Sequence, residues 1–274
     1  MKRVSFWMML LVSALHLSGC FVGFYEPPTK TVDVGATPVV DWKKTMSALL
    51  TANVNDKGEV NYDGVKLDEV KGVLAAMSKV KIDDTWSQNK RLAFWINAYN
   101  IGMIYNILSK WPLEKVSEFN DLFFKENKFA IAGLEVSLDD IENRIIRGKN
   151  PIAGVSLDKL YPQIHAAVSC AARSCPALWN QLWTEDNVIK TLDERFKKTL
   201  NDPQHAALKD GKPQLSRIFD WFYEDFAQDG KTVGEWLATY VDNADLKKAL
   251  EAAAGDKNKL GFFEYDWTVN NFKK

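Results

Sequence analysis

Two thiols and an imidazole lie close together in one short segment of this chain. His165, Cys170 and Cys175 fall within residues 165–175, although the whole sequence holds only three histidines and three cysteines. Thiols and imidazoles are the side chains whose protonation is most easily tuned near neutral pH, so they serve as nucleophiles, redox groups and metal ligands. Their concentration here, together with Ser174, predicts a functional site.

Three chemistries fit this segment. In the first, Cys175 is a nucleophile whose thiol pKa is lowered by the neighbouring Arg173, and His165 is its base. In the second, Cys170 and Cys175 form a disulfide that closes a small loop, as is common in oxidising compartments. In the third, His165 and both cysteines supply three ligands to Zn²⁺. The spacing leaves all three open, and the first requires no metal or other cofactor.

Two amides lie on the longest apolar segment. Ser87 is predicted to begin a helix that runs to about residue 110 and is stopped by Pro112. Its middle is apolar on nearly every face, which is typical of a buried helix. Asn97 and Asn100 lie on this helix, and a buried amide must find hydrogen-bond partners. Asn97 therefore either pins neighbouring backbone or orients a catalytic imidazole.

One carboxylate is a further candidate. Ser137 begins a capping-box pattern that predicts a helix to about Arg147, and Glu142 lies on that helix. Glu142 either belongs to a solvated charged face with Arg144 and Arg147 or lies beside His165 as its orienting group or as a base.

The rest of the pattern predicts more helices and a few short strands. The predicted helices are 41–54, 67–80, 184–200, 216–226, 232–242 and 244–254, and the extended pieces are 59–62, 163–169, 214–215 and 261–267, with a hairpin at 128–136 that turns at Ala132 and Gly133. We therefore predict an α+β fold, a mainly helical single domain around the buried central helix, with short strands forming a small sheet.

The N-terminus has the pattern of an export signal. Lys2 and Arg3 precede an apolar stretch, residues 4–15, that is too short to span a bilayer comfortably. Residues 17–20, Leu-Ser-Gly-Cys, then resemble the lipobox of bacterial lipoproteins. This resemblance implies cleavage before Cys20 and lipidation of that residue.

We accordingly expect a signal peptide at 1–19, the lipidated Cys20 with a flexible tether at 20–40, and one globular domain at 41–274. Acyl chains on Cys20 would make the membrane a partner of the protein. Val22 stands where an acidic residue favours retention in the inner membrane. We therefore expect the bacterial outer membrane, with the domain facing the periplasm.

Charge and motifs exclude several classes of function. The chain has 35 basic and 36 acidic residues without a basic block, so we expect no nucleic-acid partner. It has no glycine-rich phosphate loop, no Gly-x-Ser-x-Gly and no His-Glu-x-x-His. The usual nucleotide-binding, serine-hydrolase and zinc-protease interpretations are therefore unsupported.

Five blocks of sequence, in order, resemble the family of the domain of unknown function 547. They are FWINAYN at 94–100, LDDIENRIIR at 138–147, IHAAVSCAARSCP at 164–176, FDWFYEDF at 219–226 and EYDWTVN at 264–270. The family has no established activity, so the resemblance implies a shared cleft rather than a reaction. The positions that it places in this cleft are Trp95, Asn97, Asn100, Glu142, His165, Cys170, Ser174 and Cys175.

Two functional hypotheses follow. The leading one is a cell-envelope lipoprotein with a thiol-dependent hydrolase or transferase site. Cys175 attacks, His165 acts as base, Asn97 or Glu142 orients the imidazole, and backbone amides near Cys175 stabilise an oxyanion. Its envelope substrate or protein partner is not specified by the residues. The alternative is a non-enzymatic binding or scaffold lipoprotein with a structural Cys170–Cys175 disulfide, and a zinc-dependent enzyme is the third hypothesis.

Overall fold

The computed structural model describes residues 29–35, 37–38 and 40–273. The predicted signal peptide and the predicted lipidation site at Cys20 lie outside the described residues. Within them, the fold is a mainly helical α+β domain with short strands, as the sequence predicted. None of the described helices is both long enough and apolar enough to cross a membrane.

Three helices form the first half of the domain. They are α1 (Trp42–Asn53), α2 (Leu67–Ser78) and α3 (Gln88–Ser109). Side chains cap two of them, because Asp41 accepts hydrogen bonds from the first turn of α1 and Ser87 accepts one from the first turn of α3. Helix α3 is buried on nearly every face, which confirms the prediction of a central buried helix.

A first small sheet covers this helical layer. It consists of β1 (Lys30–Thr31), β2 (Asn127–Ile131) and β3 (Leu134–Val136), with β1 parallel and β3 antiparallel to β2. The hairpin between β2 and β3 turns at Ala132 and Gly133, as predicted, and both residues have positive φ. Strand β1 lies inside the segment expected to be a tether, and its two residues pair with Asn127 and Lys128 of β2.

The second half of the domain has its own helices and sheet. Its elements are α4 (Val188–Leu200), β4 (Ala206–Lys209), β5 (Lys212–Leu215), α5 (Ile218–Trp221), α6 (Val233–Ala238), α7 (Ala244–Ala253) and β6 (Gly261–Phe262). Strand β5 pairs antiparallel with β4 and parallel with β6. The described strands thus form two sheets of three strands each, where the sequence indicated one.

Two segments near the predicted site have helical forms that the sequence did not predict. Residues 163–169 were predicted to be extended, but a 3₁₀ helix spans Pro162–Ala166, because Pro162 presets a helical φ at its first turn. The helix predicted from Ser137 is present with its reciprocal Ser137–Asp140 cap, and it becomes a π-helix over Asp140–Ile146.

The domain has two hydrophobic cores, and the segment with the thiols lies between them. The first core surrounds α3, and the second surrounds β5, α6 and α7. Ile164 packs in the first core and Ala166 in the second, and the ring of Tyr265 packs against both. Residues near this junction are therefore positioned by both halves of the fold.

Candidate functional site

A cleft of about 300 Å³ opens at the junction of the two cores. Its lining contains nearly all the chemically active side chains of the segment singled out in the sequence. The residues that define its chemistry are Glu142, His165, Cys170, Cys175, Phe222 and Tyr265. They come from four separate parts of the chain, because only His165, Cys170 and Cys175 belong to one segment, so the folded domain is needed to assemble the group.

The His165 ring is held between two carboxylates. Its Nε2 lies 2.9 Å from Oδ2 of Asp225, and its Nδ1 lies 3.9 Å from Oε1 of Glu142. The ring stacks on Phe222 at 4.1 Å between centroids. Burial lowers the pKa of His165 despite the adjacent Asp225, so the neutral ring predominates near pH 7.

Asp225 decides which ring nitrogen carries the proton. Burial raises the pKa of this carboxyl, but hydrogen bonds from His165 and Arg147 outweigh burial and lower the pKa to about 2. Arg147 donates through Nε at 2.5 Å and through Nη2 at 2.9 Å, and its guanidinium lies over the Phe222 ring. An ionised Asp225 accepts the Nε2 proton of His165, which leaves Nδ1 as the acceptor facing Glu142.

Glu142 is a largely buried carboxyl on the π-helical segment. Burial raises the pKa of Glu142 to about 7, although Arg147 and a hydrogen bond with Tyr99 oppose the increase. Both the acid and the carboxylate forms are therefore populated near neutral pH. A carboxyl in this state is suited to donate a proton in one step of a reaction and to accept one in another.

Cys170 is the more accessible of the two thiols. Its sulfur lies 3.1 Å from the hydroxyl oxygen of Tyr265, and hydrogen bonds from Cys175, from Tyr265 and from the backbone N–H of Ala172 lower the pKa of Cys170 against the effect of burial. Ala171 has a φ of 61°, which turns the chain directly after the thiol. This turn brings the backbone N–H of Ala172 to the Cys170 sulfur.

Cys175 is buried behind Cys170. Its sulfur accepts the backbone N–H of Cys170 at 3.0 Å, and burial raises the pKa of Cys175 well above its ordinary value. The backbone amides of Ser174 and Cys175 donate to the carbonyls of Asp266 and Ala172. They are therefore occupied, contrary to the expectation that they stabilise an oxyanion. Both cysteines are free thiols in this structure.

Four residues expected in the cleft lie elsewhere. The Asn97 side chain donates to the carbonyl of Trp183 and accepts from its N–H, and it does not contact His165. The Asn100 side chain donates to the carbonyl of Ala167 and accepts from the N–H of Ser169. It therefore positions the backbone that leads to Cys170. Trp95 is fully buried in the first core, because α3 is surrounded on all sides.

Ser174 is the fourth of these residues. Its hydroxyl accepts the backbone N–H of Asp266, and it lines a second, larger cavity on the other side of the 170–175 loop. Cys175 lines both cavities. Ser174 therefore ties the C-terminal segment to the thiol loop rather than facing the cleft.

The donor groups are not arranged as a metal site. Among the described residues, no group of three or more His, Cys, Asp and Glu side chains is placed to hold a metal ion. The two nitrogens of His165 face Asp225 and Glu142, while the sulfur of Cys170 faces Tyr265. The set of His165, Cys170 and Cys175 proposed for Zn²⁺ is thus divided between two polar networks.

Sequence reasoning missed three important residues of the site. Asp225 and Phe222 come from the block FDWFYEDF, and Tyr265 comes from EYDWTVN. A carboxylate within an aromatic run is itself a signal, because a buried Asp needs a cation or several donors. Here Arg147, which could be assigned to a solvated face, is the cation that it needed.

Comparison with known protein families gave one match. Residues 84–198 match the family described as protein of unknown function, DUF547. This segment holds Glu142, His165 and both cysteines, together with the first three blocks of the resemblance, and the match supports that family assignment for this part of the chain. Asp225 and Tyr265 lie beyond the matched segment. No curated protein and no solved structure matched the chain significantly.

Proposed function

We propose that this protein is a thiol-dependent hydrolase or transferase of the bacterial cell envelope, with Cys170 as its nucleophile. The observation that carries the proposal is the position of the Cys170 sulfur, 3.1 Å from the Tyr265 hydroxyl in a cleft that Glu142 and His165 also line. A thiol with a lowered pKa in the same cleft as a carboxyl and an imidazole suits acyl transfer through a covalent intermediate.

This proposal exchanges the roles that the sequence suggested for the two cysteines. Cys170 is half-buried on the cleft, and its thiolate is stabilised by hydrogen-bond donors. Cys175 is buried and its pKa is raised, so it supplies a hydrogen bond instead of a nucleophile. His165 is not the base of the thiol, because its nitrogens face Asp225 and Glu142.

The proposed reaction has two steps. The Cys170 thiolate attacks the carbonyl carbon of an ester or amide, the bond to the alcohol or amine breaks, and the acid form of Glu142 gives its proton to the leaving group. The product is a thioester on Cys170. Water, or an acceptor alcohol or amine, then attacks the thioester, Glu142 takes the proton of this nucleophile, and the thiolate leaves.

His165 supports the change of protonation on Glu142. The ionised Asp225 keeps the ring proton on Nε2, so Nδ1 presents a lone pair to the Glu142 carboxyl at 3.9 Å. The lone pair favours the acid form of Glu142 in the first step. In the second step, the neutral ring adds no positive charge to that of Arg147, which already favours the ionised form of Glu142.

The test is to trap the acyl intermediate. The full-length chain in detergent is incubated with 4-nitrophenyl acetate, and intact mass and peptide mapping then locate the acetyl group. We expect a Cys170 adduct in the wild type and in Cys175→Ser, and no adduct in Cys170→Ser. Glu142→Gln should form the adduct and release acetate at least tenfold more slowly. An adduct of equal yield in Cys170→Ser would sink the proposal.

We also propose that a lipid on Cys20 anchors the domain to the outer membrane, facing the periplasm. Because β1 begins at Lys30, the chain from Cys20 to Lys30 makes ten Cα-to-Cα steps and spans at most roughly 35 Å, so the first strand of the domain stays within that distance of the lipidated residue. Labelling of cells with a palmitate analogue should mark the wild type but not Cys20→Ser, and the label should fractionate with the outer membrane. Release of unlabelled wild-type protein by salt alone would contradict the anchor.

A further inference from the structure

An unexplained aromatic surface adjoins the nucleophile. Trp221, Tyr265 and Trp267 form a cluster that we call the aromatic wall, and all three side chains line the cleft. The Trp221 ring lies 4.8 Å from Tyr265 and 5.8 Å from Trp267, nearly parallel to the latter at 25°. The reaction described above uses only the hydroxyl of Tyr265 and leaves the rings without a role.

The side chain of Trp221 is unusually exposed to solvent for a large apolar residue. Its exposed fraction is 48 %, and among the described residues it is the most exposed of three large hydrophobic side chains that face solvent. The other two, Ile189 and Leu208, do not line the cleft. An indole that packs against neighbouring rings and is still accessible to solvent at a cleft can stack on a flat ligand.

The polar groups of the cleft indicate what kind of flat ligand it takes. Asn120, Lys125 and Asp139 line the cleft together with the aromatic wall, and they offer amide, ammonium and carboxylate groups. Lys125 pairs with Asp121 at 3.3 Å, and the other charged side chains of the lining are the acidic Asp139 and Glu142, so the lining has no excess of positive charge. A cleft of this kind does not attract an anionic polymer, and it offers hydrogen-bonding groups that an apolar chain could not use.

We propose that the aromatic wall is a saccharide subsite and that the substrate is an acylated saccharide. A pyranose ring offers apolar C–H groups to an aromatic face and hydroxyls to amides and carboxylates, which matches both kinds of lining. Since Tyr265 belongs to the wall and its hydroxyl contacts the Cys170 sulfur, a sugar on the wall places its acyl group at the nucleophile. This inference rests on the thiol-dependent activity proposed above and names its substrate class.

The experiment measures binding without chemistry. Saturation-transfer difference NMR, with irradiation of the aromatic protons, is recorded on the full-length protein with the tetramer of N-acetylglucosamine. We expect transfer to the ring C–H protons of the sugar. Trp221→Ala should raise the dissociation constant about tenfold, and Trp221→Phe should raise it less. The matched control is Leu208→Ala, which removes an exposed side chain outside the cleft and should bind like the wild type.

Three outcomes would overturn the saccharide assignment. They are no transfer to the tetramer in the wild type, equal binding by wild type and Trp221→Ala, and transfer to the peptide acetyl-Phe-Ala-amide in place of the sugar. The same wild-type preparation is tested for acetylation of Cys170. Acetylation without sugar binding refutes only the subsite, and sugar binding without acetylation refutes only the proposed activity.

Discussion

His165 Nε2 lies 2.9 Å from Asp225 Oδ2, and this contact joins the two halves of the domain at the site. His165 belongs to the 3₁₀ helix between the cores, whereas Asp225 follows α5 in the second half. Arg147, from the first half, donates to the same Asp225 oxygen at 2.5 Å. The protonation of the histidine therefore depends on the correct packing of one half against the other.

Replacing Asp225 with Asn should destabilise the folded protein. The variant leaves the Arg147 guanidinium without its buried anion, so we expect a loss of about 3–5 kcal/mol in the free energy of unfolding. Urea denaturation measures the loss. The control is Asp220→Asn, which removes a more exposed carboxylate paired with Arg217 and Lys257 and should cost less than about 1 kcal/mol. Equal losses in the two variants would contradict the importance of the buried contact.

The stability of the protein should depend on pH through Glu142. The folded-state pKa of Glu142 is raised from an ordinary value of 4.5 to about 7. The unfolded chain therefore releases this proton first, and the stabilisation present below about pH 4.5 is lost as the pH rises through about 7. Relative to Glu142→Gln, the wild type should lose up to ~3 kcal/mol over this window.

Urea unfolding at pH 4.5 and pH 8 measures this difference. The exposed Glu251→Gln on α7 is the control, and it should follow the wild type at both values. If the gap between wild type and Glu142→Gln is the same at both pH values, then the pKa of Glu142 is not raised.

Tyr265→Phe should make Cys170 less acidic. The Tyr265 hydroxyl helps to lower the pKa of the Cys170 thiol, so its removal should move the pH midpoint of alkylation by iodoacetamide to a higher value. Tyr240→Phe is the matched control, because the Tyr240 hydroxyl bonds to Asp193 and Gln163, away from the thiols. A midpoint that shifts equally in both variants would indicate a general change in the fold.

Local patterns in the sequence were sufficient to predict much of the fold. The caps at Asp41, Ser87 and Ser137 and the hairpin turn at Ala132 are formed by neighbouring residues, so they could be read from short segments. The 3₁₀ helix at Pro162 was missed because the apolar run that follows resembles a strand. The second sheet was missed because its strands are too short to show a period.

The site was harder to predict, because its partners are far apart in the sequence. Asp225 lies 60 residues after His165, and Tyr265 lies 95 residues after Cys170. The thiol segment could be recognised from residue types alone, but the different acidities of its two cysteines depend on Tyr265 and on burial. Sequence reasoning therefore found the segment and assigned the nucleophile to Cys175, where we propose Cys170.

Asn100 should affect the reactivity of the thiol, and Asn97 should not. Each side chain makes two buried hydrogen bonds to backbone, so Asn100→Ala and Asn97→Ala should each cost about 2–4 kcal/mol in unfolding free energy. Only Asn100 holds the backbone that leads to Cys170. The rate of iodoacetamide alkylation should change in Asn100→Ala and match the wild type in Asn97→Ala. A change of the same size in both variants would exclude a positioning role for Asn100.

The state of the two thiols separates the enzyme from the scaffold alternative. Protein is purified from cells without reductant, treated with iodoacetamide under native conditions and measured by intact mass. Peptide mapping separates any group on Cys20; at the other two cysteines, a half-buried Cys170 and a buried Cys175 predict one added group in the wild type, one in Cys175→Ser and none in Cys170→Ser. A wild-type mass that lacks two thiol hydrogens and gains no group would instead identify a Cys170–Cys175 disulfide. That result would remove the nucleophile and favour a binding protein whose loop is stiffened by the bond.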